Sequence, residues 1–217
     1  MRIIAGTSRG RPLHAPVGRS TRPTSDRVRE AMFDMLSSRG CFDDGDGSDR
    51  GPAVVDLFAG SGALGIEALS RGGRSAVFVE SDQSAVETVI SNLYSAGLAE
   101  PGTPRLTAGR SSTKVGSRAR VERADVARWV AGPGVVDLAE ADLVFADPPY
   151  SFDAWPALLT GIAASGFAGL AILEVGEEVD PGHGWDVVKS RTYGTTVVQL
   201  VQPVVLAGLW VEPKGGV

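Results

Sequence analysis

Residues Ala53 to Gly72 read AVVDLFAGSGALGIEALSRG. Ala53-Val54-Val55 is an apolar run that ends in an acid, Asp56. Gly60, Ser61, Gly62 and Gly65 follow as G-x-G-x-x-G, and then Leu64, Ala68 and Leu69 recur at helical spacing. The pattern predicts a buried strand, a glycine turn and a helix, the first βα unit of an open α/β sheet. Glycine suits such a turn because it takes positive φ and lets a ligand approach the backbone. In open α/β sheets ligands bind beyond the carboxyl ends of the strands, where this loop falls.

By itself the glycine pattern fits a dinucleotide, S-adenosylmethionine or a plain tight turn. Glu80 ends the next apolar run, Ala76 to Val79, twenty residues past Gly60. A carboxylate there can accept hydrogen bonds from a ribose, which both cofactors carry. Asp56 favours S-adenosylmethionine. A carboxylate beside the loop would repel a pyrophosphate, yet it suits the cationic amino-acid part of that cofactor. Phe58 and Ser61 lie in the same loop and are counted with the cofactor-binding set.

At 217 residues the chain has room for one α/β domain and an appendage. The single cysteine, Cys41, allows no internal disulfide and suits a reducing cytoplasm. His14 and His183 sit in Pro/Gly-rich stretches, and no metal site is expected. The amino terminus has no apolar core of a signal peptide, and no apolar run is long enough to span a bilayer. No repeat, heptad or apolar patch argues for an oligomer, so a monomer is the default expectation.

The net charge of −5 hides an asymmetry. Residues 1–40 hold eight arginines against Asp26, Glu30 and Asp34, a net of +5 that leaves about −10 for the rest. That distribution predicts a basic binding arm on an acidic domain. Arg2, Arg9, Arg11, Arg19 and Arg22 decorate short apolar pieces that suit a small hairpin, with no acid among them. They and Arg27 are the candidate phosphate-contacting residues, since guanidinium forks onto phosphate and stacks on bases. A solvated surface arm is the plainer alternative.

Residues Pro23 to Arg39 predict a helix capped by Thr24 or Ser25. Val28, Ala31, Met32, Met35 and Leu36 face the core, and Arg27 and Arg29 lie on or near the other face. This helix would dock the arm. The expected divisions are an arm and docking helix over 1–40, an acidic linker over 41–52 and the catalytic domain over 53–217. Asp82 to Gly97 predicts a helix with a stripe of Val86, Val89, Ile90, Leu93 and Tyr94. Leu98 to Ser117 is rich in Gly, Pro, Ser and Thr and reads as a flexible insertion. Arg118 to Arg123 should be a strand with Asp125 at its carboxyl end. There Asp125 could accept from an adenine amine or simply cap a helix.

Ala141 to Ala146 predicts a strand that delivers Asp147-Pro148-Pro149-Tyr150. A helix over 153–164, a strand over 170–175 and a terminal hairpin around Tyr193-Gly194 complete the reading. The two prolines fix φ and remove two amide donors. The rigid turn then presents acceptors, the Asp147 carboxylate and the Pro148 carbonyl, beside the flat face of Tyr150. That set suits an exocyclic amine on a planar ring, whose lone pair is delocalised and must be drawn out toward a methyl donor. Tyr150 can stack on the base, a contact of roughly 1–3 kcal/mol.

The run D-L-F-A-G-S-G-A-L-G-I-E-A-L-S-R-G, with V-E-S-D and D-P-P-Y after it, resembles class I S-adenosylmethionine-dependent methyltransferases. The amino-terminal R-I-I-A-G-T-S-R-G-R-P-L and R-P-T-S-D-R-V-R-E-A-M-F-D-M-L narrow the resemblance to the bacterial enzymes that methylate the N2 amine of a guanine in 16S ribosomal RNA. The likeness covers most of residues 1–206 and departs at 43–52 and around 99–117. It implies a Rossmann-like, seven-stranded, mostly parallel sheet with one antiparallel strand and helices on both faces. It implies that Glu80 binds the cofactor ribose, Asp125 the adenine, and Asp56 with Gly60 and Gly62 the methionine part. It implies that Asp147 and Pro148 hold the guanine amine with Tyr150 on the ring, and that the arm recruits rRNA in the small ribosomal subunit. Other readings stay open: a DNA adenine-N6 or protein glutamine-N5 methyltransferase, an NAD-linked oxidoreductase, or a non-catalytic RNA-binding module.

Overall fold

The computed structural model describes residues 1–16, 26–42, 51–99 and 111–204. Arg19, Arg22, Thr24, Ser25, most of the acidic linker and residues 100–110 of the insertion lie outside them.

The chain enters the sheet at its centre. β1 (Ala53–Leu57) pairs in parallel with β2 (Ser75–Glu80) on one side and with β5 (Leu143–Ala146) on the other. β2 is flanked by β4 (Ala119–Arg123), and β5 by β6 (Leu170–Val175), both parallel. These strands read as near-continuous apolar runs because helices cover both faces. The order of the sheet is β3-β4-β2-β1-β5-β6-β8-β7. The direction of strand addition therefore reverses between β1 and β5, which opens a crevice at their carboxyl ends.

The expected seven strands are present with an eighth added. β3 (Ser112–Val115) lies in the stretch read as a flexible insertion and pairs antiparallel with β4. Its alternation, with Thr113 and Val115 buried, suits an edge strand. The hairpin of β7 (Trp185–Tyr193) and β8 (Thr196–Pro203) closes the far edge, with β8 antiparallel to β6.

Helices α1 (Asp26–Ser37), α2 (Ala63–Ser70) and α3 (Gln83–Ser95) pack on one face of the sheet. Helices α4 (Val126–Val130), α5 (Val135–Ala139) and α6 (Trp155–Ala164) cover the other. In α3, Val86, Val89, Ile90 and Leu93 are buried as the spacing requires, whereas Tyr94 turns outward. Asp82 caps α3 by accepting from the Ala85 amide at 2.9 Å.

Residues 1–13 form the expected hairpin, with Ile3 N–H donating to Arg11 O at 3.0 Å and Leu13 N–H to Met1 O at 3.0 Å. Ile3 and Leu13 enter the same apolar cluster as α1 and β1. Two residues of α2 hold the hairpin: Ser70, which accepts from the Thr7 and Ser8 amides and donates to Ala5 O, and Glu67. The carboxylate of Glu67, fully buried, accepts from the amides of Ile4 and Ala5 at 2.8 and 2.9 Å and from Arg71 Nε at 2.8 Å. Arg71 also lies over the Phe33 ring, 4.9 Å from its centroid.

Arg29 corrects the expected orientation of α1. Its side chain is fully buried, with Nε 3.8 Å from Glu67 Oε2 and the guanidinium donating to Asp26 and to the Arg2 carbonyl. A buried carboxylate left in apolar surroundings is too costly to keep ionised, so Glu67 draws in cations and amides. Arg27, two residues earlier, is exposed as expected.

Glu67→Ala should cost about 1–3 kcal/mol, because it strips the Ile4 and Ala5 amides of their acceptor and leaves Arg29 with Asp26 as its carboxylate partner. Hydrogen exchange should then show the Ile4 and Ala5 amides losing protection before the strands do. Unchanged protection there would mean that apolar contacts alone hold the hairpin.

Candidate functional site

The strand ends place the predicted acids in one row. Asp56, Glu80 and Asp147 follow Val55, Val79 and Ala146, whose side chains pack on the face of α4–α6. Side chains alternate along a strand, so all three acids point to the opposite face, toward α1–α3. Asp56 is only 2% exposed and its Oδ2 accepts from the Gly65 amide at 2.9 Å. The carboxylate thereby anchors the first turn of α2.

Glu80 is 3% exposed. One of its oxygens accepts from the Gly60 amide at 3.0 Å and the other from the Asp82 amide at 2.8 Å. It clamps the glycine loop to the loop that follows β2. A carboxylate offers about four acceptor positions, more than these two amides take.

The loop between them is tightly constrained. Phe58 holds φ at 58°, a left-handed conformation that costs a non-glycine residue of order 1–3 kcal/mol and clusters at functional sites. Its ring meets Phe152 edge-on at 5.2 Å. Gly62 sits at φ 75° as the N-cap of α2 and has no side chain to cap the helix, so the Asp56 carboxyl takes the Gly65 amide in its place. Gly65 is fixed by space: a Cβ there would lie 2.4 Å from the Phe78 ring.

On the other side of the crevice, Pro148 is buried, Asp147 half-buried and Tyr150 60% exposed. The turn is closed by the Phe152 amide donating to Pro149 O at 2.8 Å. Tyr150 Oη lies 3.3 Å from Thr196 Oγ1, which ties the exposed ring to the terminal hairpin. Burial pushes the Asp56 carboxyl up to about 8, the Gly65 amide opposes that, and the charges of Asp147 and Glu80 add to the rise.

Asp125 sits at the end of β4 as expected, where its side chain accepts from the Arg128 amide at 3.0 Å and caps α4. Arg2, Arg9 and Arg11 are exposed on the hairpin, and Arg11 Nη1 donates to Ser95 O at 3.3 Å. Among the described residues no group of three or more His, Cys, Asp or Glu could hold a metal ion, and no helix is long and apolar enough to cross a membrane.

Two residues escape sequence reasoning. Asn92, fully buried on α3, accepts from the His14 amide at 2.9 Å and donates to the carbonyls of His14 and Ser61 at 2.9 and 2.8 Å. One side chain thus joins the amino-terminal segment to the glycine loop. Its only sequence signal is a polar residue amid the apolar stripe of α3. Glu174, at the carboxyl end of β6, is 5% exposed and lines a cavity of about 480 Å³ with Pro148, Tyr150, Phe152 and Trp155. It stands in an apolar strand with no motif around it.

Comparison with known proteins places this constellation. The family described as "Conserved hypothetical protein 95" matches residues 1–202. The chain belongs to that family. A Bacillus subtilis (strain 168) protein, provisionally named as the rRNA methyltransferase YlbH, is 37% identical over 206 residues, covering 92% of this chain and 97% of its own. The Escherichia coli (strain K12) protein named ribosomal RNA small subunit methyltransferase D is 30% identical over 213 residues, covering 93% and 89%. The solved structure of a hypothetical protein from Thermus thermophilus superposes with a TM-score of 0.69 at 31% identity, covering 93% of this chain and 99% of that one. The Rossmann-like fold is that of class I methyltransferases.

Because the folded-state carboxyl of Asp56 is raised, the native protein holds a proton that the unfolded chain releases. Stability should therefore fall as pH rises from the ordinary aspartate value of 3.8 toward about 8. Asp56→Asn removes that titration and can still accept from the Gly65 amide. In thermal melts between pH 5 and pH 8 the wild type should lose ground against the variant as pH rises. Parallel profiles would mean that Asp56 does not carry the shift.

Proposed function

We propose that this protein transfers a methyl group from S-adenosylmethionine to the exocyclic N2 amine of a guanine in 16S ribosomal RNA, in the small ribosomal subunit and hence in the cytoplasm. The observation that carries the proposal is the Asp147-Pro148-Pro149-Tyr150 turn. It ends β5 across the crevice from the glycine loop of β1, in a chain that full-length rRNA methyltransferase relatives match.

The residues present fit the cofactor. Glu80 offers a carboxylate to ribose hydroxyls at the tip of β2, beside the Gly60 amide that it holds. Asp56 stands beneath the loop as the acid nearest the cationic amino-acid part, and Asp125 closes the adenine end. S-adenosylmethionine supplies an electrophilic methyl on a sulfonium. The chain's own task is orientation. The Asp147 carboxylate and the Pro148 carbonyl accept the two amine hydrogens, which turns the nitrogen lone pair out of the ring plane. Tyr150 holds the base flat. As the N–C bond forms, the S–C bond breaks and its electron pair stays on sulfur. The surplus proton on nitrogen leaves to Asp147 or to water. Positioning of this kind supplies much of the rate in a one-step displacement. A base held in folded RNA must first be extruded to reach such a pocket.

Labelled S-adenosylmethionine, offered with small subunits, naked 16S rRNA and duplex DNA, tests the proposal. Label should appear in N2-methylguanosine from the ribosomal substrates. Label in N6-methyladenine from DNA would reassign the substrate, and tighter binding of NAD than of S-adenosylmethionine would reassign the chemistry. Asp147→Ala should lower the methylation rate by at least about 100-fold, as expected for losing a positioned acceptor, with cofactor affinity changed only a few-fold. Equal loss of both would make the residue structural.

The hairpin arginines supply the RNA-facing charge. Replacing Arg2, Arg9 and Arg11 by alanine leaves the buried Ile3 and Leu13 in place. It should weaken RNA binding and reduce the slope of log K against log salt by up to about 2, roughly 0.7 per lost phosphate contact. An unchanged slope would remove the hairpin from the interface.

A further inference from the structure

The turn at Asp147 recognises an amine, and both guanine and adenine carry one. Nothing in that turn chooses between them. The two bases differ at the neighbouring ring nitrogen: guanine N1 bears a hydrogen and donates, whereas adenine N1 is a bare acceptor. A residue that selects guanine must therefore present an acceptor one position along the base edge from Asp147.

Glu174 occupies such a position. Ala146 on β5 pairs with Leu173 on β6, so Asp147 and Glu174 are the next residues on two adjacent parallel strands. Phe145 and Ile172, two residues earlier on each strand, both pack on the α1–α3 face. Alternation puts Asp147 and Glu174 on that same face, about one strand spacing, roughly 4.8 Å, apart. Glu174 is 5% exposed and yet lines the 480 Å³ cavity together with Pro148 and Tyr150, the residues assigned to the amine and the ring. A volume of that size lies within the ~300–1,000 Å³ typical of small-ligand sites.

We infer that Glu174 is the residue that reads guanine, its carboxylate accepting the N1 hydrogen while Asp147 and Pro148 hold the N2 amine. The inference rests on the proposed function and names its specificity determinant. A carboxylate accepts but does not donate, so adenine would set a nitrogen lone pair against an oxygen lone pair. A site built to accept a ring hydrogen rejects an analogue that presents a lone pair in its place.

The test uses 2-aminopurine, which keeps the N2 amine, replaces the N1 hydrogen by a lone pair and the 6-oxo group by hydrogen, so that the Glu174→Gln comparison isolates the N1 contact. Once the methylated guanine has been mapped, small subunits are assembled with rRNA carrying guanine or 2-aminopurine at that position. The wild-type protein should methylate guanine about 100-fold faster, the scale of one base-edge contact. Glu174→Gln should slow guanine methylation by a similar factor and bring the two substrates within about 5-fold of each other, with cofactor affinity unchanged. A wild-type ratio near one overturns the assignment without any variant. So does a ratio that Glu174→Gln leaves intact. Formation of N2-methylguanosine by the wild type keeps the underlying function standing in both cases. Absence of N2-methylguanosine from every ribosomal substrate overturns that function and this assignment with it.

Discussion

The buried carboxylate of Glu67 is the constraint on which the arrangement of this molecule turns. It lies five residues after Gly62 on α2, the helix that the glycine loop opens into. From there it gathers two hairpin amides, Arg71 and Arg29. One short helix thereby carries the glycine loop at its first turn and the basic hairpin in its second half. Asn92 makes a second connection between the same two parts, from the His14 backbone to the Ser61 carbonyl. The hairpin is thus a fixed fitting on the α1–α3 side of the sheet, and its outward arginines have a set position relative to the crevice. A tether alone would leave that position free.

The second organising feature is the line of acids at the strand ends. Glu80 ends β2, Asp56 and Glu174 are the penultimate residues of β1 and β6, and Asp147 follows β5, so the four acids stand at the carboxyl ends of four neighbouring parallel strands and share one face. Burial, with the charges of Asp147 and Glu80 added, raises the Asp56 carboxyl. Glu80 and Asp147, whose charges help to keep Asp56 protonated, favour cations and hydrogen-bond donors and disfavour phosphate. A sulfonium, ribose hydroxyls and the donor edge of guanine are all of the favoured kind, whereas a dinucleotide pyrophosphate is not.

The parts of this design that local pattern controls are legible in the sequence. Strand, glycine turn and helix at 53–72, the acid at 80 and the proline-rigid turn at 147–150 each follow from a short window. Asp82 and Asp125 act as caps for the same reason. What escapes depends on partners far along the chain. Arg29 lies at a position that helical spacing assigns near the solvent face, but Glu67, 38 residues on, draws it inward. Glu174 looks like an anomaly in an apolar strand until β5 is placed beside it. β3 escapes because four residues, Ser112 to Val115, acquire their pairing only from the edge of β4. In each case local propensity is weak and the tertiary neighbour decides.

The two charge systems explain, on the proposed function, why an acidic protein can act on RNA. The hairpin arginines attract the phosphate backbone on one part of the surface, while the acid row repels phosphate from the crevice. A duplex laid across the crevice would set its backbone against those acids. An extruded base brings an amine, a ring N–H and a flat face into the same space, with its phosphates left outside. The electrostatics therefore favour the extruded geometry over any in which the backbone follows the base inward. That preference is a property of the folded surface itself, because the acids stand on rigid strand ends and the hairpin is clamped by Glu67. Selection of the base and exclusion of the backbone then come from the same side chains.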